Sequence, residues 1–167
     1  SSGFSCPGPE RSYNEWSVLK LSESIDDIEP YNIDKKPLHS GQKVVAAGWS
    51  SDFRRIEKID GKLTFRFIKH IGDCTAKSVL VDKGIPYFML TNCDGSTHTS
   101  GSGLFDGNYD HNTLIAIHAG SSQSDKDAER SLETGIPIRH PFNERTWYSV
   151  YIPIAGELRS AIVDAAR

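Results

Sequence analysis

Apolar and polar residues alternate along several short stretches of this chain, with the period of a strand rather than of a helix. Lys43-Val44-Val45-Ala46-Ala47-Gly48-Trp49 and Leu63-Thr64-Phe65-Arg66-Phe67-Ile68-Lys69 predict two strands, the second half-buried. Residues 78–81, 87–91, 103–105, 114–118 and 134–138 predict five more. An earlier strand is predicted over residues 16–21, where Trp16, Val18 and Lys20 alternate against Ser17, Leu19 and Leu21 and the apolar density points to burial on both sides. From Ser22 to Gln42 the chain is polar, acidic and punctuated by Pro30 and Pro37, which reads as a connector with a domain boundary near Ser40. The one predicted helix is the tail, residues 157–167: Leu158, Ala161, Ile162 and Ala165 share a face, and Pro153 and Gly156 precede it. Short strands joined by Asp60-Gly61, Asp94-Gly95 and Asp106-Gly107 favour an antiparallel all-β barrel or sandwich over a βαβ fold.

Composition narrows the function classes. With 167 residues the chain is long enough for one domain, and 19 Lys and Arg against 22 Asp and Glu leave a net charge of −3. No basic field is available to hold nucleic acid or an anionic membrane. No apolar run approaches the ~20 residues that cross a bilayer as a helix, and Ser1-Ser2-Gly3-Phe4-Ser5-Cys6-Pro7 has neither a basic start nor an apolar signal core. The expectation is a chain already processed, or one that begins inside a longer precursor. The Cys and His residues lack the paired short intervals of a zinc site, and no glycine-rich phosphate loop opens a helix, so no cofactor and no metal are expected. The acidic run 125–129 reads as a solvated face rather than a calcium loop. Three cysteines, Cys6, Cys74 and Cys93, leave an odd one whichever pair forms.

The densest chemistry lies in Cys93-Asp94-Gly95-Ser96-Thr97-His98-Thr99-Ser100-Gly101-Ser102-Gly103-Leu104-Phe105. A tight loop of small residues before a strand holds a serine hydroxyl outward while its N–H groups converge on a developing oxyanion, or it is plain turn structure. Order and spacing along the whole chain resemble the chymotrypsin-like serine peptidases, in particular the branch that includes glutamyl endopeptidases. Ser100-Gly101-Ser102-Gly103 followed by Leu104-Phe105 falls on the nucleophile motif. Ala116-Ile117-His118-Ala119-Gly120 resembles the strand that follows it, Asn14-Glu15-Trp16-Ser17-Val18-Leu19-Lys20-Leu21 the end of a first barrel, and Gly41–Trp49 the opening strand of a second.

The resemblance implies a fold and a set of roles. Residues 1–40 would close a first barrel and connect to the second, 41–155 would form a complete second antiparallel β-barrel with the nucleophile loop, and 156–167 the C-terminal α-helix. Ser100 would be the nucleophile and Glu15 the triad carboxylate, one methylene longer than the usual Asp. His98, Thr99 and Ser100 would line the oxyanion hole, with His98 where the family has Gly. Asp94, Gly95, His118, Ala119 and Gly120 would form the primary specificity pocket. There Asp94 favours a basic substrate residue and His118 an acidic one; an acidic or small residue before the scissile bond is the expectation. Cys74 and Cys93 would pair, leaving Cys6 to reach another chain in a secreted or extracytoplasmic setting.

The family's general base is a histidine well upstream of the triad carboxylate, and only fourteen residues precede Glu15. His39, His70, His111 and His140 read as structural or solvent-facing. The expected partner is therefore an N-terminal fragment of the same precursor carrying the catalytic histidine, with Cys6 as the expected link, without which Ser100 is a weak nucleophile and the isolated chain inactive. A catalytically inactive homologue that serves as a binding or regulatory module is the alternative. A β-rich adhesive module unrelated to peptidases is a third.

Overall fold

The computed structural model describes residues 16–23, 25, 27–33, 37–93, 99–107, 112–122 and 148–167. Six strands close into an antiparallel barrel: β1 (Lys43–Ile59), β2 (Lys62–Asp82), β3 (Ile85–Thr91), β4 (Gly103–Asp106), β5 (Leu114–Ser122) and β6 (Tyr148–Pro153), in the spatial order β1-β2-β3-β6-β5-β4 and back to β1. A helix, α1 (Gly156–Ala165), follows. Closure leaves every strand of the ring with a partner on both sides over its core portion, which removes the unpaired edge that a six-stranded open sheet would present. No helix among the described residues is long and apolar enough to cross a membrane.

Two tight turns set the first half of the ring. Asp60-Gly61 joins β1 to β2 and Lys83-Gly84 joins β2 to β3, with positive φ at all four residues. Two left-handed residues in succession give the turn whose twist matches an antiparallel hairpin. β1 pairs with β4 only from Val44 to Ala47, whereas its pairing with β2 runs on to Ile59 across a register shift between Trp49 and Arg54. The outer part of this hairpin therefore projects beyond the ring, with Ile56, Ile59 and Leu63 exposed on it.

The inward residues Val44, Ala76, Met89, Cys93, Leu104, Ile115, Ala116 and Tyr151 form one core. Cys74 and Cys93 are joined in a disulfide that ties the middle of β2 to the end of β3. The Ser149 hydroxyl donates to the Cys93 carbonyl at 2.9 Å and the Thr75 N–H to Asn92 Oδ1 at 2.7 Å, so the chain leaving β3 is held from both neighbouring strands. A second cluster lies outside the barrel, where Ile152, Ile154 and Leu158 gather Trp16, Val18, Ile33, Leu114, Ile117, Ala119 and Ile162.

Several expectations change. Residues 63–69 and 78–81 are one strand, because Gly72 and Asp73 between them are held in the ladder by Ala46 and Val45. Residues 16–21 form no strand. Trp16 and Val18 pack on the outer cluster while Leu19, 84% exposed, and Leu21 face away from it. Their alternation comes from one-sided contact with the outer cluster; it does not come from pairing in a sheet. β6 is a strand that the hydropathy pattern did not single out, and it closes the ring between β3 and β5. The helix begins and ends slightly earlier than expected, at Gly156 and Ala165, with Leu158 buried as predicted. The predicted strand at 134–138 and residues Cys6 and Glu15 lie outside the described residues.

The cysteines are 19 residues apart in sequence. Replacing both with Ala is expected to lower unfolding free energy by about 3 kcal/mol through the added freedom of the unfolded chain. Urea denaturation checks this, with the wild type under reductant expected to match the double variant.

Candidate active site

Ser100 stands in the turn that leads into β4. The Ser102 N–H donates to the Thr99 carbonyl at 2.9 Å, closing the turn around Ser100, and Gly101 takes the left-handed conformation, φ +81°, that lets the chain reverse there. A side chain at Gly101 would strain this geometry. Thr99 is buried and Ser100 exposed, so the turn faces its serine outward and anchors itself by the residue before it.

Two backbone bonds fasten the turn to β5: the Gly101 N–H donates to the His118 carbonyl at 2.8 Å, and the His118 N–H donates to the Ser102 carbonyl at 2.9 Å. On the other side the turn meets β1. A Cβ added at Gly48 would collide with the Ser102 Cβ, closer than any pair of non-bonded carbons tolerates. Gly48 is therefore what allows β1 to pass the turn so closely.

The turn opens on a cavity of about 490 Å³. Ser100, Trp49, Lys69, Tyr31 and Ile117 line it. Tyr31 is brought there from the connector. The Asn32 N–H donates to the Asn112 carbonyl and the Leu114 N–H to the Asn32 carbonyl, both at 2.9 Å. Its ring stands edge-on to Phe105 with centroids 4.8 Å apart.

His118 behaves differently. It is 3% exposed, points into the barrel opposite Tyr151, and their rings meet edge to face at 5.0 Å. Its Nε2 lies 3.5 Å from Thr99 Oγ1, and its Nδ1 is buried without a hydrogen-bond partner among the described residues. Burial removes the water that would solvate an imidazolium and lowers the pKa from 6.5 to about 4. The same loss of solvent pushes the Tyr151 phenol far above its usual value.

The predicted site residues thus separate. Thr99, Ser100 and His118 come together at one turn. Ala119, next to His118, packs on the outer cluster, and Gly120 lies beyond a register shift in the pairing with β6. His118 and Ala119 consequently project to opposite faces of β5, so their side chains do not share one pocket wall. Asp94, Gly95 and His98 lie outside the described residues. Tyr31, Trp49 and Lys69, which line the cavity beside Ser100, were not among the predicted site residues. Each comes from a part of the chain far from Ser100, and no local pattern ties it to the serine turn. Among the described residues no three His, Cys, Asp or Glu side chains gather as a metal-binding group. No family model matches the chain, and no curated protein matches it either.

Gly48→Ala is expected to cost roughly 1–3 kcal/mol, since the added methyl must displace backbone-fixed Ser102. Amide resonances of Ser102 and Gly103 should move while those of the Asp60-Gly61 turn stay, as read by ¹H–¹⁵N spectra. For His118, the unfolded chain binds a proton that the folded chain refuses between pH 6.5 and 4. Its contribution to stability is therefore intact above pH 6.5 and falls by up to about 3 kcal/mol as the pH drops to 4. In His118→Phe this part of the pH dependence should vanish, measured by denaturation across the same range.

Proposed function

We propose that this chain is the major part of a chymotrypsin-like serine endopeptidase that cleaves peptide bonds through an acyl-enzyme on Ser100. The catalytic histidine would come from an N-terminal fragment of the same precursor. The observation that carries this reading is the presentation of Ser100: exposed, at the crest of a turn fixed to two strands, at the edge of a cavity large enough for substrate side chains. The closed antiparallel barrel, the Cys74–Cys93 disulfide and the terminal helix support it by falling in the chain order that the sequence motifs imply. The disulfide also accords with a secreted or extracytoplasmic site of action.

In the proposed reaction the supplied imidazole takes the Ser100 hydroxyl proton as Oγ attacks the scissile carbonyl carbon. The resulting oxyanion is held by backbone N–H groups of the turn. Collapse breaks the C–N bond, the leaving amine takes the proton from the imidazolium, and water then releases the acyl group by the same steps in reverse order. Thr99 and Ser100 belong to the turn that would supply those donors. An acidic substrate side chain that displaced Thr99 Oγ1 from His118 Nε2 would meet a buried imidazole and favour its protonation. This supports an acidic or small residue before the scissile bond.

A second reading, an inactive homologue that binds rather than cleaves, draws on the same His118: its imidazole bonds Thr99, is held neutral, and leaves Ser100 without its help. A fluorophosphonate applied to precursor-derived protein that retains its N-terminal fragment separates the two. A Ser100 adduct in peptide mapping is expected, with cleavage of a peptide library after acidic or small residues. Ser100→Ala should lose the adduct and on the order of 10⁶-fold in kcat. Absence of an adduct favours the inactive homologue, and strong preference for Lys or Arg overturns the specificity.

A further inference from the structure

The barrel has a second open end. Ser100 sits where β4 begins; where β4 ends, a separate cavity of about 400 Å³ lies between the start of β1, the start of β5 and α1. β1 and β4 are antiparallel, with Ala47 opposite Gly103 and Val44 opposite Asp106. The two cavities are thus roughly 10 Å apart along the strand. Leu38, Ile115 and Ile154 give this one apolar walls, into which Gln42 and Arg159 are set.

Gln42 Oε1 and Arg159 Nε are both buried and have no hydrogen-bond partner among the described residues. Gln42 as a whole is 5% exposed. Native proteins seldom leave such groups unpaired, because each costs about 1–3 kcal/mol in lost solvation. A donor and an acceptor on one cavity call for a ligand that carries the complementary pair: an oxygen for the Arg159 N–H and an N–H for Gln42 Oε1.

Charge narrows the class. The Arg159 guanidinium is permanently positive. Beside it stand Ala155 and Gly156 at the N-terminus of α1, where Ala155 supplies no side-chain cap. First-turn N–H groups without a cap favour a negative ligand atom. Glu157, the acidic residue of that turn, is exposed and outside this cavity. Asp106, 3% exposed on the strand next to Gln42, lines the cavity as well, so the acceptor side is set by Gln42 Oε1. A positive end and an acceptor end, with aliphatic walls, match the end of a peptide.

We infer that this cavity binds the free C-terminus of a short peptide ending in an apolar residue. The carboxylate sits on Arg159 and the first turn of α1, the last amide N–H on Gln42 Oε1, and the side chain against Leu38, Ile115 and Ile154. The site does not depend on Ser100 chemistry and stands whether or not the chain is a peptidase.

N-acetyl-leucine is the minimal probe. Titrated into the ¹⁵N-labelled full chain, it is expected to give saturable shifts at the Arg159 Nε–H and the Gln42 side-chain amide. N-acetyl-leucinamide, which lacks the carboxylate, should bind about tenfold or more weakly, as should N-acetyl-N-methyl-leucine, which lacks the N–H. Arg159→Met should lose the same factor, with Ser100→Ala unchanged. The ligand comparisons use the unaltered protein and decide the matter even if Arg159→Met does not fold. Absence of saturable shifts at these two groups overturns the inference, as does equal affinity for the acid and its amide, or for acetate and N-acetyl-leucine.

Discussion

Two backbone hydrogen bonds, from the Gly101 N–H to the His118 carbonyl and from the His118 N–H to the Ser102 carbonyl, fix where the Ser100 hydroxyl stands. Everything chemical at this end of the barrel hangs on that exchange. It makes the turn an extension of the β5 ladder instead of a free loop, and it sets β1 so near that only a residue without a side chain fits at position 48. A serine on a loose loop would spend most of its time away from any one geometry; here the strands on either side restrict it.

The same exchange explains why His118 is buried. Its backbone serves the turn and its β5 neighbours, and its side chain is directed by the strand's alternation into the barrel against Tyr151. A polar ring in that position is tolerated because it stays neutral and meets Thr99 on one side. The opposite end of the barrel tolerates its polar groups less completely, since Gln42 and Arg159 retain buried atoms without partners. One end thus presents an exposed hydroxyl on a rigid turn, the other an incompletely satisfied cavity.

Much of the barrel is legible from periodicity. The starts of β1 and β4, most of β3 and β5, and the terminal helix all follow from apolar alternation or a helical face, and Asp60-Gly61 announces its own turn. The errors share a cause. Gly72-Asp73 reads as a break because both residue types disfavour isolated strands, yet partners on β1 hold them in line. Residues 16–21 read as a strand because one-sided packing also produces alternation. β6 is not legible from hydropathy, because a serine and a tyrosine, Ser149 and Tyr151, take its inward positions while Tyr148 and Val150 stay half-buried. In the candidate site Ser100, Thr99 and His118 could be picked out from a local motif. Tyr31, Trp49, Lys69, Gln42 and Arg159 could not, since each reaches its cavity from a distant part of the chain.

By itself the sequence determined the local matters: which stretches extend, where the chain turns, and that a serine lies in a small-residue turn ahead of a strand. These depend on side-chain period and backbone propensity within a few residues. Only the tertiary structure decided the order in which the strands of the expected barrel meet around the ring, that His118 and Ala119 face opposite ways, and that Gln42 and Arg159 share one cavity. Those outcomes depend on hydrogen bonds and contacts between residues far apart in the chain, whose partners no local pattern names.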